Sequence, residues 1–220
     1  MDRSVLLRAV DEAFAETGAD TPPWPDPHAD REPADEEYSR CLDPAKYRVL
    51  AARAEAWTRA LCGLGLAREE RIPRAAGALW RGEPAVSVDE AVRLWPLGGA
   101  GAVPLLFGFG AIDGVPRTVL TVGAGEPAVP AALVPDCGCD ACDDGSAGIL
   151  EVLDEAVLAV VTGEFVHVDA GRGRTITALH DGWSAADWER PLPGVGGALE
   201  QARAGTSPYD VVVGRAWETV

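Results

Sequence analysis

The segment VPLLFGFGAIDGVPRTVLTV, residues 103–122, decides the fold class of this chain. Residues 103–109 form a continuous apolar run, which is typical of a strand covered on both faces, and residues 117–122 are a second candidate strand. Asp113-Gly114 lies between them, and this dipeptide favours the positive φ angles of a tight turn. Pro104 lacks an N–H for the ladder, so it is tolerated only near the start of the first strand. The segment therefore predicts an antiparallel hairpin.

Helical patterns flank this hairpin on both sides. Residues 43–61 are a predicted helix, because Asp43 is a favourable N-cap, Pro44 suits the first helical position, and residues such as Trp57 belong to an apolar stripe. Residues 146–162 are another predicted helix, with Ser146 as its expected cap. The other predicted elements are helices at 4–17 and 198–204 and strands at 91–95, 164–168, 175–179 and 210–215.

The order of these elements predicts an α+β protein, in which a mostly antiparallel sheet is packed by two or three helices. Residues 1–44 are assigned to an acidic N-terminal helix and a Pro-rich loop, and residues 45–220 to a single α+β domain. The sequence TPPWPDP at residues 21–27 contains four prolines. This loop is therefore expected to be extended and exposed rather than packed, and whether residues 19–37 are ordered is left open.

The net charge of −16 is concentrated in two blocks. Residues 1–44 contain 12 acidic and 4 basic residues, and residues 136–170 contain 9 acidic residues and no basic one. Proteins that bind nucleic acid or anionic membranes need clustered lysine and arginine, so the composition excludes both classes of partner. The blocks are most simply solvated surface, and they also suit a cation site or a basic protein partner.

The sequence predicts a cytoplasmic protein. The N-terminal residues MDRSVLLRAVDEAF include acidic residues and no apolar run of signal-peptide length. The longest apolar runs are far shorter than the roughly 20 residues that cross a bilayer. In a reducing compartment the five cysteines are expected to be thiols or metal ligands rather than disulfides.

The main chemical motif is DCGCDACDD, residues 136–144. Cys137, Cys139 and Cys142 have a C-x-C-x-x-C spacing, so their thiols can converge on one ion, and thiolates are soft ligands that suit zinc, copper(I) or an iron–sulfur cluster. A carboxylate can complete a tetrahedral zinc site. The predicted metal ligands are therefore the three cysteines with Asp140 and Asp144, and zinc is the expected ion.

Other interpretations of this loop stay open. No second ligand pair of a zinc module is visible, so a fourth ligand has to come from an aspartate of the loop, from His167 or His180, or from a distant cysteine. A tight, metal-free structural loop fits the sequence equally well. A redox dithiol is disfavoured, because the neighbouring aspartates suppress thiolate formation. A calcium loop is disfavoured too, because Cys142 takes the place of an oxygen ligand.

Motifs of common enzyme classes do not occur in the chain. It contains no G-x-S-x-G, no H-E-x-x-H and no P-loop. His167 and His180 lie on neighbouring predicted strands, but a hairpin centred near Gly171 pairs His167 with Ile176 rather than with His180. Each histidine is therefore more typical of a structural residue than of a catalyst.

The string PDCGCDACDDGS at residues 135–146, with the apolar helix after it and EFVHV at 164–168, resembles an uncharacterised actinobacterial family, domain of unknown function 6226. AEAWTRALCGLGLA (54–67), AVPLL (102–106) and GWS (182–184) are similar more weakly. The resemblance implies one domain over residues 45–185 with the cysteine string as its signature, and it implies no catalytic role.

The predicted function is that of a non-enzymatic binding or regulatory module whose cysteine loop binds zinc, with a basic protein as the expected partner. A metal-dependent enzyme, with three thiolates, a carboxylate and a water on the ion, is the first alternative. A thiol redox sensor that uses Cys139 and Cys142 is the second.

Overall fold

The computed structural model confirms an α+β architecture and describes residues 2–73, 79–82, 85–180, 182–189 and 192–219. The helices in this part of the chain are Arg3–Thr17 (α1), Arg48–Gly63 (α2), Gly145–Thr162 (α3) and Val195–Arg203 (α4). None of them is long and apolar enough to cross a membrane. The strands are Ala67–Ile72 (β1), Glu90–Pro96 (β2), Leu105–Ile112 (β3), Val115–Gly125 (β4), Ala128–Val134 (β5), Val166–Asp169 (β6), Thr175–Ala178 (β7), Trp183–Ala186 (β8) and Asp210–Val213 (β9).

The strands form two antiparallel sheets rather than one. β1 to β5 follow one another as a meander in the larger sheet, and the smaller sheet has the order β8-β7-β6-β9. Every pair between these strands is antiparallel. The prediction of a mostly antiparallel α+β fold is therefore confirmed, although its strands are divided between two sheets.

The predicted hairpin is formed by β3 and β4, and its turn is at Asp113-Gly114. Both residues have positive φ, 50° for Asp113 and 76° for Gly114, as the tight turn requires. β3 begins at Leu105, directly after Pro104. Proline cannot donate to the ladder, so the strand starts one residue beyond it.

The larger sheet is covered on both faces, as the continuous apolar run predicts. Phe107 and Phe109 lie in the main core with Trp57 of α2. The indole of Trp80 covers the opposite face, where a Cβ added to Gly108 would lie 2.9 Å from the Trp80 ring. The glycine in β3 therefore makes room for the indole that closes this face.

Helix α1 shares the main core with α2. Leu6 and Val10 of α1 are fully buried in the same apolar cluster as Leu50 and Leu61. The boundary at residue 44 between an N-terminal segment and a separate α+β domain stays a prediction.

The smaller sheet packs against α4 in a cluster of its own. Val168 of β6 and Ile176 of β7 are buried there together with Leu199 of α4. The β6–β7 pairing places His167 opposite Thr177, one residue beyond the expected Ile176. His167 Nδ1 lies 2.9 Å from the Thr177 hydroxyl. This contact between β6 and β7 supports a structural role for the histidine.

The Pro-rich loop is anchored at one point rather than simply exposed. Its prolines at positions 22, 23, 25 and 27 are at the surface. Trp24, between them, packs edge-on against Tyr47, with ring centroids 5.8 Å apart. The Trp24 indole N–H donates to the carboxylate of Asp143 at 2.9 Å. The expectation of an unpacked loop is therefore wrong at Trp24, because a single large aromatic ring is enough to hold the loop against the domain.

Candidate metal centre

The three cysteines of the motif converge at the surface, between the end of β5 and the start of α3. A short 3₁₀ turn over Asp140–Cys142 folds the loop back on itself, and the Cys142 N–H donates to the carbonyl of Cys139 at 3.1 Å. The Sγ atoms of Cys137, Cys139 and Cys142 all lie within 4.8 Å of one another, and those of Cys137 and Cys139 are 3.2 Å apart. Cys137 and Cys142 are exposed and Cys139 is half-buried, so a ligand can reach the three thiols from solvent.

Asp140 holds the loop to the N-terminal segment instead of joining the thiol group. One carboxylate oxygen accepts from Arg40 Nε at 3.0 Å, and the other accepts from the backbone N–H of Leu42 at 3.1 Å. The Asp140 N–H in turn donates to the carbonyl of Arg40 at 2.8 Å. Both carboxylate oxygens are thus used by protein donors, and the arrangement gives no support to Asp140 as a metal ligand.

Asp143 is the second anchor, and the sequence interpretation missed it. Its side chain is 2% exposed and accepts from Lys46 Nζ at 2.5 Å, from the Trp24 indole at 2.9 Å and from the Gly145 N–H at 2.9 Å. Burial opposes ionisation, but these donors outweigh it and lower the pKa of Asp143. The one sequence signal that could have pointed to this anchor was Lys46, because it is the one lysine of the chain. No spacing rule, however, connects Lys46 to the cysteine loop.

Asp144 lies at the N-cap of α3 and is exposed. Its side chain makes no capping hydrogen bond, and it does not belong to the thiol group. Ser146, the predicted cap, instead accepts from the Trp24 N–H at 3.1 Å. Its hydroxyl therefore fastens the Pro-rich loop to the first turn of α3 rather than capping the helix.

The proton distribution among the thiols is uneven. Burial raises the pKa of Cys139, but hydrogen bonds from the Cys137 and Cys142 thiols outweigh it, so the Cys139 pKa is lowered. The hydrogen bond to Cys139 is the main cause that raises the pKa of Cys142 to about 12. Cys139 therefore loses its proton more readily than Cys142, which the expected suppression by neighbouring aspartates did not anticipate. Arg40 and Lys46 form ion pairs with two aspartates of the motif, Asp140 and Asp143.

The remaining sulfur and imidazole groups lie apart from the three thiols. Among the described residues, no histidine, carboxylate or further cysteine adds a fourth ligand atom to the group. His180 pairs with Glu164 at 2.9 Å. Cys62 belongs to α2 and packs against the main core, as expected of a small apolar side chain. The site therefore consists of three thiols with one open side.

Glu37 forms a separate set of contacts in the N-terminal segment, and these lead to a prediction about pH. Two hydrogen bonds from Arg31, at 2.6 and 2.7 Å, and one from the Ala34 N–H lower the pKa of Glu37 from 4.5 to about 2. Its contribution to stability is therefore complete above pH 4.5 and is lost as the pH falls towards 2. We expect the wild-type urea midpoint to fall more steeply over this range than that of Glu37→Gln.

The exposed neighbour Glu36 provides the control for this experiment. Glu36 has no ion pair in the part of the chain that the structure describes, so Glu36→Gln should follow the wild-type curve. Parallel pH profiles for the wild type and Glu37→Gln would show that the Arg31 contact contributes nothing in solution.

Comparisons with known proteins give one result. The model of a family of unknown function, DUF6226, matches residues 10–220, which include both sheets and the cysteine loop. Neither the curated proteins nor the solved structures contain a match to the chain. The resemblance to domain of unknown function 6226 is thereby confirmed, without its actinobacterial origin, and the chain belongs to the family of unknown function DUF6226.

Proposed function

We propose that this protein is a binding module that holds one thiophilic metal ion, with zinc as the first candidate, on Cys137, Cys139 and Cys142. The observation that carries the proposal is the convergence of the three Sγ atoms within 4.8 Å on an exposed loop. Thiolate sulfur selects zinc and copper(I) over hard cations such as magnesium and calcium. The site is therefore a soft-metal site in its chemistry.

The open side of the site determines what kind of binding it supports. A structural zinc site has four protein ligands, whereas a site with three leaves one position for water or an incoming group. With Asp140 bonded to Arg40 and Leu42, the fourth ligand of a zinc ion here would come from solvent or from a partner. An exposed three-thiolate site of this kind suits reversible uptake and release of the ion.

A metal enzyme is the weaker alternative for this geometry. A catalytic zinc also keeps an open position, but it works inside a shaped, water-excluding cavity. The cavities of ≈ 600 and ≈ 670 Å³ are lined by residues other than the three cysteines. The surface position of the loop therefore favours binding over catalysis.

The test is a metal titration of untagged, reduced protein. We expect about one equivalent of Zn²⁺ to bind in competition with a chromophoric chelator, and Co²⁺ to give a thiolate charge-transfer band. Cys139→Ser should weaken binding by at least about 100-fold, since outer-shell changes alone cost about 10–100-fold. The control is Cys62→Ser, whose sulfur lies outside the cluster and should leave the affinity unchanged.

Two results would overturn the metal-binding proposal. One is a stoichiometry far below one ion per chain. The other is equal affinity in the wild type and Cys139→Ser, because an ion bound through other groups would not respond to this sulfur.

The 3.2 Å distance between the Cys137 and Cys139 sulfurs favours a second candidate function, that of a thiol redox sensor, through this pair rather than the expected pair of Cys139 and Cys142. Hydrogen peroxide would take two electrons and two protons from two thiols of the loop, which forms one disulfide and two molecules of water. We expect the sensor to lose two free thiols per chain after mild peroxide treatment. An unchanged thiol count would reject the sensor function. This result would have no bearing on the metal-binding proposal.

Compartment and partner belong to the same proposal. The five cysteines are free, which supports a reducing compartment such as the cytoplasm. Exposed carboxylates along the Pro-rich loop support a basic protein surface as the partner, and they are those of Asp26, Asp30, Glu32, Asp35 and Glu36. The charge of the loop is complementary to such a surface.

A further inference from the structure

A small cavity lies between the C-terminal end of α4 and strand β9. Its volume is ≈ 380 Å³, within the roughly 300–1,000 Å³ of small-molecule sites. Val211 and Val213 of β9 form one wall, and small residues at the end of α4 form another. The only charged residues that line it in the described chain are Arg203 and Arg215.

Neither arginine of this cavity has a counter-ion among the described residues. In the ranges that the structure describes, neither guanidinium is in an ion pair or a hydrogen bond. Many other arginines pair with carboxylates, as Arg31 does at 2.6 Å and Arg53 at 2.6 Å, whereas Arg68 also has no ion pair among the described residues. Acidic residues outnumber basic ones by 35 to 19, yet no acidic residue in the described chain lines this cavity, so its two arginines leave a local positive charge that an external anion can match.

The backbone around the cavity positions these side chains. Gly101 has a φ of +85°, and a Cβ there would lie 3.1 Å from Cγ of Arg215, so the glycine lets the arginine stem lie against its loop. Gly205, beside Arg203, has open space where a Cβ would point. β9 pairs only with β6 among the described strands, so it is an edge of the smaller sheet.

We propose that this cavity binds a small dianion, a phosphate monoester or a dicarboxylate, between Arg203 and Arg215. The guanidinium group is a planar fork that matches the paired oxygens of phosphate and carboxylate. Two such forks in one cavity match two negative charges on one ligand. The site is independent of the cysteine loop and does not depend on metal binding.

The test is an NMR titration of the full-length ¹⁵N-labelled chain with inorganic phosphate, phenyl phosphate and malonate at ionic strength fixed with sodium chloride. We expect saturable shifts of the Gly101 and Gly205 amide signals. Arg203→Ala and Arg215→Ala should each weaken binding by roughly ten-fold or more, since a charge-assisted hydrogen bond is lost. Arg203→Lys keeps the charge without the fork and should bind with intermediate affinity.

Arg68→Ala is the matched control, because Arg68 is exposed on β1 and also has no ion pair among the described residues. Saturation by the phosphates alone would assign a phosphoryl ligand, and saturation by malonate alone would assign a dicarboxylate. The proposal is overturned if no probe saturates, or if Arg68→Ala weakens binding as much as the cavity variants do.

Discussion

Asp154→Ala is expected to reduce the free energy of unfolding by about 3 kcal/mol, because it leaves a buried guanidinium without its main partner. Arg53 is 6% exposed and donates to Asp154 from Nε at 3.0 Å and from Nη2 at 2.6 Å. The Trp57 indole donates to the same carboxylate at 2.7 Å. Asp11 stays within 2.8 Å of Arg53 from the solvent side, which limits the loss to the lower end of the range for broken buried pairs.

Urea unfolding followed by circular dichroism measures this loss, and two further variants make it specific. Glu151→Ala removes an exposed carboxylate from the same helix and should change stability by no more than about 0.5 kcal/mol. The double change Arg53→Met with Asp154→Leu should recover part of the loss, because an apolar pair replaces the ion pair, whereas the buried Trp57 indole N–H still lacks its acceptor. If Asp154→Ala were as stable as the wild type, Arg53 would have to be solvated in solution.

Gly163→Ala is expected to destabilise the protein by about 2–5 kcal/mol, as the sum of a left-handed backbone cost and a steric overlap. Gly163 ends α3 with a φ of +80°. A Cβ at this position would lie 2.4 Å from the backbone nitrogen of Ala216 and 2.6 Å from the backbone carbon of Arg215. The obstacle is backbone rather than the tip of a side chain, so the segment after β9 would have to move away from the helix end.

Gly65→Ala separates the two causes. Gly65 follows α2 with a φ of +70°, and no atom lies within 4 Å of its Cβ position, so its replacement has only the backbone cost of about 1–2 kcal/mol. The difference between the two urea midpoints then measures the close approach at Gly163. Equal midpoints would mean that the segment at Ala216 does not press on the end of α3 in solution.

The elements that the sequence predicted well are those whose signal is local. The hairpin at Asp113-Gly114 depends on the φ preference of two adjacent residues, and the limits of α3 follow from its apolar stripe and from Gly163. β1 was missed because its residues 68–71 read Arg-Glu-Glu-Arg. As an edge strand it uses charged side chains, such as Glu70 beside Arg93, and edge strands commonly carry charge.

The candidate site divides in the same way between local and distant signals. The spacing of Cys137, Cys139 and Cys142 is enough to predict that their sulfurs converge. The roles of Asp140 and Asp143 depend on Arg40 and Lys46, which lie about a hundred residues earlier in the chain, and no short-range pattern connects them.

In the folded protein, the acidic block at residues 136–170 is not the uncompensated negative segment that its sequence indicates. Several of its carboxylates pair with bases from the first third of the chain, and these pairs are Asp140 with Arg40, Asp143 with Lys46, Asp154 with Arg53 and Glu155 with Arg3. A linear count shows nine acids without a base. Much of the block therefore pairs with the first third of the chain, and two of these pairs, those of Arg3 and Arg40, hold the N-terminal segment to the domain; charge along the sequence could not reveal this.

The buried carboxylate of Asp143 has a consequence for the thermodynamics of the neighbouring thiols. Many small zinc modules are unfolded without metal, so that part of the binding free energy is used to order the chain. Here Lys46, Trp24 and Gly145 fix the residue next to Cys142 through the fold itself. The loop is preorganised, and little conformational entropy remains to be lost when an ion arrives. Apo and metal-bound forms should therefore share one fold, and the ion should stabilise it only by mass action.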